Sequence, residues 1–284
     1  MIADVLDHLA CPHCRAPLTL AGPQLRCDSG HGFDLARQGY VNLGATTVHG
    51  DSSEMVAARA AFLSAGHYRP ITDALVAAAA AVPGGCVADL GAGTGHQLAA
   101  VLDAGPDRVG LALEVSKPAL RRAARAHPRL GAVGCDVWGT LPVRDAAISL
   151  ALNVFAPRNP AELARVVRPG GALVVVTPTV EHLAGLVEAL NLITVAPDKD
   201  ARITAALAPH FTPSTQVTRT FDLHLSHDEV LFLVGMGPSA RHIGPTDLAE
   251  RVAALPDPVR TTASVLVATY GRASGQGQSI WGER

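Results

Sequence analysis

The sequence predicts an α/β chain, a mostly parallel sheet wound with helices, behind a small N-terminal metal-binding module. Three observations carry this. Short apolar runs alternate with helical patterns from Cys86 to Thr177. A glycine-rich turn, Asp89-Leu90-Gly91-Ala92-Gly93-Thr94-Gly95, follows the first of those runs. Four ligand-type residues, Cys11, Cys14, Cys27 and His31, stand near the start of the chain. Strands that alternate with helices, and that are apolar throughout, belong to a parallel sheet covered on both faces.

The metal pattern reads C-x2-C, twelve residues, then C-x3-H, and takes in three of the five cysteines. Zinc prefers a closed tetrahedral shell of thiolate and imidazole, which two ligands on each of two tight turns supply. Pro17 and Gly22-Pro23 let the stretch between them turn back as a hairpin. His13 lies inside the first turn and is expected to point away. A filled shell leaves no open position, so the module is expected to grip or brace rather than do chemistry.

The next elements follow from their caps and periods. A helix starts at Ser53 behind Asp51 or Ser52 and stops near Gly66, after a polar loop from Gly44 to Ser53. A second helix runs from Pro70 to Val82 and ends at Pro83-Gly84-Gly85. Strands are then predicted over Val87 to Leu90, Val109 to Val115, Ala132 to Cys135, Ala146 to Asn153 and Ala172 to Thr177. Helices fall over Gln97 to Ala104, Pro118 to Ala126 and Pro160 to Val167, the last closed by Arg168-Pro169-Gly170-Gly171. Gln216 to Leu225 and Thr261 to Thr269 read as an antiparallel edge pair. The expected organisation is a zinc module over 1–34, a connecting loop and helix over 35–70, the main domain over 71–271 and a loose tail over 272–284.

A chain of 284 residues, 48% hydrophobic, has enough apolar surface for one such domain and an appendage. The longest apolar run, Ala74 to Val82, is too short to span a bilayer, so no membrane role is expected. The start carries no secretory pattern, which with reduced cysteines points to the cytoplasm. The net charge of −2 does not advertise a nucleic-acid binder. Lys117, Arg121, Arg122, Arg125 and Arg129 nevertheless cluster with no acid between them. That run is either a solvated helix face or a phosphate-contacting patch.

The glycine turn lets backbone approach a ligand closely. Its third glycine comes one residue too early for the dinucleotide fingerprint. Asp89 precedes the glycines, Glu114 ends the second strand where it can accept ribose hydroxyls, and Asp136 follows the third. These features favour S-adenosylmethionine (SAM) over a nicotinamide.

Over roughly residues 70 to 270 the assembly resembles the class I SAM-dependent methyltransferases. The resemblance implies that Gly91, Gly93, Thr94, Gly95 and His96 border the methionine part of the cofactor. It places ribose at Glu114 and adenine at Asp136 and Val137. The acceptor is then held by the segment after the fourth strand, where Asn153 and Phe155 border it. Phe155 either stacks on the acceptor or is a core aromatic. Glu181 and His182 are candidates for proton handling, and neither is singled out as a base.

Up to about Tyr270 the chain is similar to the RlmA/TlrB group, which methylates N1 of a guanine in large-subunit ribosomal RNA. The matching stretches are Cys11-Pro12-His13-Cys14, Gln38-Gly39-Tyr40-Val41-Asn42-Leu43, Ala65-Gly66-His67-Tyr68, Asn153 to Arg158 and Met236-Gly237-Pro238-Ser239. The similarity is greater to the TlrB branch, linked to macrolide resistance. It implies a homodimer whose zinc modules clasp an RNA hairpin, with Tyr68 and His182 lining the cofactor site. A SAM-dependent methyltransferase of a small secondary metabolite is the second reading, because Ala240-Arg241-His242 lacks the family's aromatic.

Overall fold

The computed structural model describes residues 1–44 and 50–272. Half of the predicted loop at 44–53 and nearly all of the tail lie outside the described residues. No described helix is long and apolar enough to cross a membrane.

A 3-10 helix over Ile2–His8 leads into a three-stranded antiparallel sheet of β1 (Thr19–Ala21), β2 (Gln24–Arg26) and β3 (Gly32–Asp34). Gly22, in left-handed backbone, makes the β1–β2 turn. The short strand β4 (Val41–Asn42) then leaves this module and pairs in parallel with a strand of the large sheet.

Helices α1 (Ser53–Ser64) and α2 (Arg69–Ala80) precede the alternating region. Ser52, one of the two caps the sequence offers, caps α1 through the Met55 N–H, while Asp51 does not. The region itself runs β5 (Cys86–Leu90), α3 (His96–Ala104), β6 (Val109–Glu114), α4 (Lys117–Ala123), β7 (Leu130–Gly134), β8 (Ile148–Val154), α5 (Pro160–Val166) and β9 (Val167–Pro178). After it come α6 (Ala184–Leu190), α7 (Lys199–Leu207), β10 (Phe211–Leu225), α8 (His227–Gly235), α9 (Pro245–Ala253) and β11 (Val259–Arg272).

The large sheet has the order β10-β11-β9-β8-β5-β6-β7-β4. Its centre is parallel, and β11 runs antiparallel to both β9 and β10, as the edge pair predicted. Strand β5 has β6 on one side and β8 on the other, so the order reverses there. A crevice opens beyond the strand ends at such a reversal, which puts the glycine turn and the loops after β6 and β8 around one space.

Two layers of side chains cover the sheet. One includes Phe62, Ile71, Leu98, Leu120 and Val174, the other Leu9, Leu25, Leu111, Leu113 and Leu173. The second layer contains Cys11 and Cys27, so the metal module shares a core with the sheet. Gly131 of β7 shows how close the contact is. A Cβ there would stand 2.3 Å from Val5 Cγ2 and 3.3 Å from Ile2 Cα.

Boundaries shift where Pro and Gly mislead. Arg168-Pro169-Gly170-Gly171 does follow a helix, but it lies inside β9, where the β8–β9 register also shifts.

Candidate functional site

The four metal-pattern residues converge. The Sγ atoms of Cys11, Cys14 and Cys27 and one ring nitrogen of His31 all lie within 4.8 Å of one another. The closer pairs are Cys14 to Cys27 at 3.6 Å, and His31 Nδ1 to Cys11 at 3.6 Å and to Cys27 at 3.3 Å. A tetrahedral zinc with S and N ligands at about 2.0–2.3 Å spaces its ligand atoms roughly 3.5–3.8 Å apart. The donor set and its size therefore fit zinc with no position left over. His13 stands outside the group, against the rings of His31 and Phe33.

Arg15, in left-handed backbone directly after Cys14, fastens this centre to the sheet. Its guanidinium donates to the carbonyls of Leu141 (2.9 Å) and Val143 (2.7 Å). The Ala10 N–H to Pro142 O and Arg144 N–H to His8 O bonds complete the seam.

At the crevice, Gly91, Gly93 and Gly95 all take positive φ (73°, 54° and 78°), which L side chains rarely adopt. The Gly91 and Ala92 N–H groups both donate to Leu113 O on β6, so the turn hangs from the neighbouring strand. A Cβ on Gly91 would stand 2.8 Å from that of Ala156, which brings the loop after β8 against the turn.

Glu114 is buried beneath this loop. Its Oε2 accepts the Gly93 N–H at 2.8 Å, and its Oε1 accepts those of Val115 and Ser116, each at 2.8 Å. A carboxylate has about four acceptor directions, so one remains for a ligand hydroxyl. Taking two ribose hydroxyls requires one of these three N–H groups to let go. Asp89 is buried beside it, and its carboxyl is pushed up to about 7, first by desolvation and then by the Glu114 charge. Two acids under a turn of backbone donors suit a nucleoside that also carries positive charge, as SAM does.

The remaining predicted cofactor residues are spread along the same rim. Asp136 is half-buried, and its Oδ1 takes the Trp138 N–H at 2.9 Å. Val137 is buried in the second core layer. Thr94 is partly exposed, and His96 opens α3.

Beyond β8 the chain makes a tight turn. Asn153 is fully buried, and its amide is spent on that turn: Nδ2 donates to Pro157 O at 2.7 Å, and Oδ1 accepts Arg158 Nε at 2.8 Å. The turn holds Phe155 at a φ of 51° and leaves it 44% exposed. A large aromatic in left-handed backbone is strained, and here its own N–H is pinned to Val176 O. Asn153 thus reaches the acceptor region through Phe155.

Phe155, Tyr68 and His182 form a triangle, with ring centroids 6.2, 6.1 and 6.0 Å apart. Tyr68 comes from the α1–α2 turn, which Gly66 permits, and His67 beside it is held by Glu229 at 2.7 Å. Glu229 is also the reciprocal partner of Ser226 in the capping box of α8. His182 Nδ1 accepts the Ser264 N–H at 3.2 Å. The proton of the neutral ring therefore sits on Nε2, facing Tyr68 Oη at 3.3 Å. Burial, with Lys199 nearby, lowers its pKa to about 4. His182 is consequently arranged as a neutral donor, not as a base.

The sequence reading passed over Arg59. It lies on α1 with its Cδ 3.4 Å from where a Cβ on Gly93 would be, tied to Asp51 at 2.5 Å and to Met236 O at 2.8 Å. A lone arginine on a helix carries no signal. The matching Met236-Gly237 stretch was the available clue.

Two outcomes follow from this geometry. Wild-type protein should carry one zinc per chain, and Cys14→Ser should lose it; metal analysis showing full zinc in the variant would contradict the assignment. Asp89, with its native pKa raised from 3.8 to about 7, stabilises the ligand-free fold fully below about pH 4, and this is lost as pH rises through about 7. Asp89→Asn should therefore gain stability relative to wild type between pH 5 and pH 8 in urea unfolding. A constant difference would show that the carboxyl is not perturbed.

Comparison with known proteins agrees with this architecture. A zinc-ribbon family model described as "RlmA, N-terminal" matches residues 9–44. A Streptomyces fradiae protein named 23S rRNA (guanine(748)-N(1))-methyltransferase is 51% identical, over 93% of this chain and 97% of its own. A Micromonospora griseorubida protein, provisionally named for 23S rRNA guanine-N(1) methylation, is 56% identical over 95% of this chain and 99% of its own. A solved Bacillus halodurans structure, provisionally named a methyltransferase, superposes with a TM-score of 0.51 at 13% identity, covering 71% of this chain and 98% of that one. The fold is that of the class I SAM-dependent methyltransferases behind a zinc ribbon, and the chain belongs to the 23S rRNA (guanine-N1)-methyltransferase family.

Proposed function

We propose that this chain transfers the methyl group of SAM to N1 of a guanine in 23S rRNA. The observation that carries the reading is the exposed, strained Phe155, set with Tyr68 and His182 against the glycine turn. Bases taken out of a stack are commonly held on aromatic faces, and Phe155 is the accessible face here.

SAM supplies an electrophilic methyl on a sulfonium, and the protein's part is largely to align it with the acceptor nitrogen. Glu114 and the glycine turn hold the nucleoside end, while Phe155 sets the plane of the guanine. Guanine N1 must lose its proton as the N–C bond forms. The Nε2–H of His182 is directed at the Tyr68 oxygen, which leaves the Tyr68 hydroxyl as a donor suited to the guanine carbonyl or the cofactor carboxylate rather than to removing that proton. Glu181, exposed and next in sequence to His182, is the carboxylate we assign to accept it.

The Streptomyces fradiae relative is named for guanine 748, and its similarity supports the equivalent guanine as the target. A homodimer that clasps an RNA hairpin in the cytoplasm, with macrolide resistance as the result, completes the proposal on the strength of the family resemblance.

Tritiated SAM with unmodified 23S rRNA should label the RNA, and reverse transcription should stop at one guanine, because an N1 methyl blocks pairing. Phe155→Ala should lower kcat/KM for RNA by roughly 5- to 150-fold, the range of one lost base stack, with SAM affinity kept. Label confined to a small molecule would overturn the reading, and full activity in Phe155→Ala would overturn the acceptor placement.

A further inference from the structure

The basic run from Lys117 to Arg129 separates into two parts. Arg129 turns inward, donating to the carbonyls of Gly105 (2.7 Å) and Pro106 (3.0 Å) and also to those of Arg108 and Leu102. It braces the α3–β6 connection and is unavailable to a partner. Lys117, Arg121, Arg122 and Arg125 remain exposed on α4 and the turn behind it, and none makes an ion pair among the described residues. His127 is already paired with Asp103 at 3.3 Å.

The rest of the molecule gives this its weight. Arg15, Arg59, Arg158, Arg165 and Arg251 are each committed to carbonyls, amides or carboxylates. Cations without such partners among the described residues, Arg37, Arg168, Lys199, Arg219 and Arg260, are scattered over other elements. Like charges three and four apart on a helix repel, so the cluster is unfavourable to the free protein. Arg121 and Arg122 at least complement the last turn of α4. Lys117 is in its first turn, where positive charge opposes the helix dipole. Folding alone does not account for the cluster.

Its position suits a substrate. Helix α4 is capped by Ser116, whose N–H donates to Glu114 and whose hydroxyl donates to Asp51 O. The cationic face therefore begins at the rim of the cofactor crevice and extends outward from it. We infer that Lys117, Arg121, Arg122 and Arg125 hold the phosphodiester backbone of the RNA substrate beside the crevice, an inference that rests on the proposed rRNA methylation. Four cations without carboxylate partners complement a row of phosphates and little else of that size. The surface also answers how a chain of net charge −2 holds a polyanion: locally, on one helix.

The test compares full-length wild type with Arg121→Ala/Arg122→Ala/Arg125→Ala, using a 23S rRNA fragment and tritiated SAM over a range of salt. Removing three phosphate contacts should flatten the log–log salt dependence of RNA affinity by about 2 to 3. At 100 mM salt, KM for RNA should rise at least about 10-fold, with kcat and SAM affinity unchanged. The corresponding triple Lys variant should keep the wild-type slope, since either cation neutralises a phosphate, and this separates charge from folding. Arg168→Ala/Arg219→Ala/Arg260→Ala should behave as wild type. If wild type methylates the RNA while the α4 triple Ala variant keeps its KM and salt slope, the inference is overturned. If wild type leaves RNA unmethylated, the proposed function falls and the inference with it.

Discussion

A single buried carboxylate organises the cofactor end of this protein. Glu114 gathers the N–H groups of Gly93, Val115 and Ser116, joining the glycine turn after β5 to the start of α4. A carboxylate removed from water is tolerated only when such donors surround it. The requirement runs both ways, because the Gly93 N–H, turned inward by its positive φ, would otherwise lack a partner. Asp89 is cut off from water by burial and lies within reach of the same charge, and so keeps its proton to a higher pH than an ordinary aspartate.

The acceptor end is arranged by a similar division of labour. Asn153 spends its amide on a tight turn, and the turn presents Phe155 in backbone that it would not adopt unaided. Tyr68 and His182 come from distant segments, His182 held by the Ser264 N–H and Tyr68 by His182 itself. Between them, Ala156 lies against Gly91, so the cofactor turn and the acceptor turn are in direct contact. Opposite them, Arg15 stitches the zinc centre to the segment after β7, which makes the ribbon an extension of the sheet's core rather than a tethered appendage. Arg59 and Asp51 lay α1 over the glycine turn and link it to Met236, so the N-terminal and C-terminal additions meet above the cofactor site.

Much of this was legible in the sequence because the chemistry demanded particular residues at particular spacing. The zinc ligands, the three glycines and the acid ending β6 were all readable for that reason. The apolar strands β5, β6, β8 and β9 were readable because burial on both faces leaves few other compositions. The helices after β9 were not. Helix α7 buries only Ile203 and Leu207, α6 starts and ends in left-handed non-glycine residues, and α8 is apolar after its first turn, whereas α9, with Pro245 at its first position and an apolar face of Leu248 and Val252, did carry a local signal. The capping box at Ser226 and Glu229 was the one local sign of α8. Strand β4 has two residues and exists only because β7 offers an edge. Nor could spacing show that the Asn153 amide faces its own loop, that Arg129 turns inward while its neighbours do not, or that Ser264 sets the tautomer of His182. Those follow from partners far away in the chain.

The account depends most on Glu114 serving both the free turn and the bound nucleoside. Calorimetric titration of SAM into wild type and Glu114→Gln addresses this directly. The account predicts one SAM per chain for wild type and at least about a 10-fold loss of affinity for Glu114→Gln, in line with a charge-assisted hydrogen bond of about 1.5–3 kcal/mol. Equal affinity in the two proteins would mean that the carboxylate only shapes the loop and that the ribose binds elsewhere.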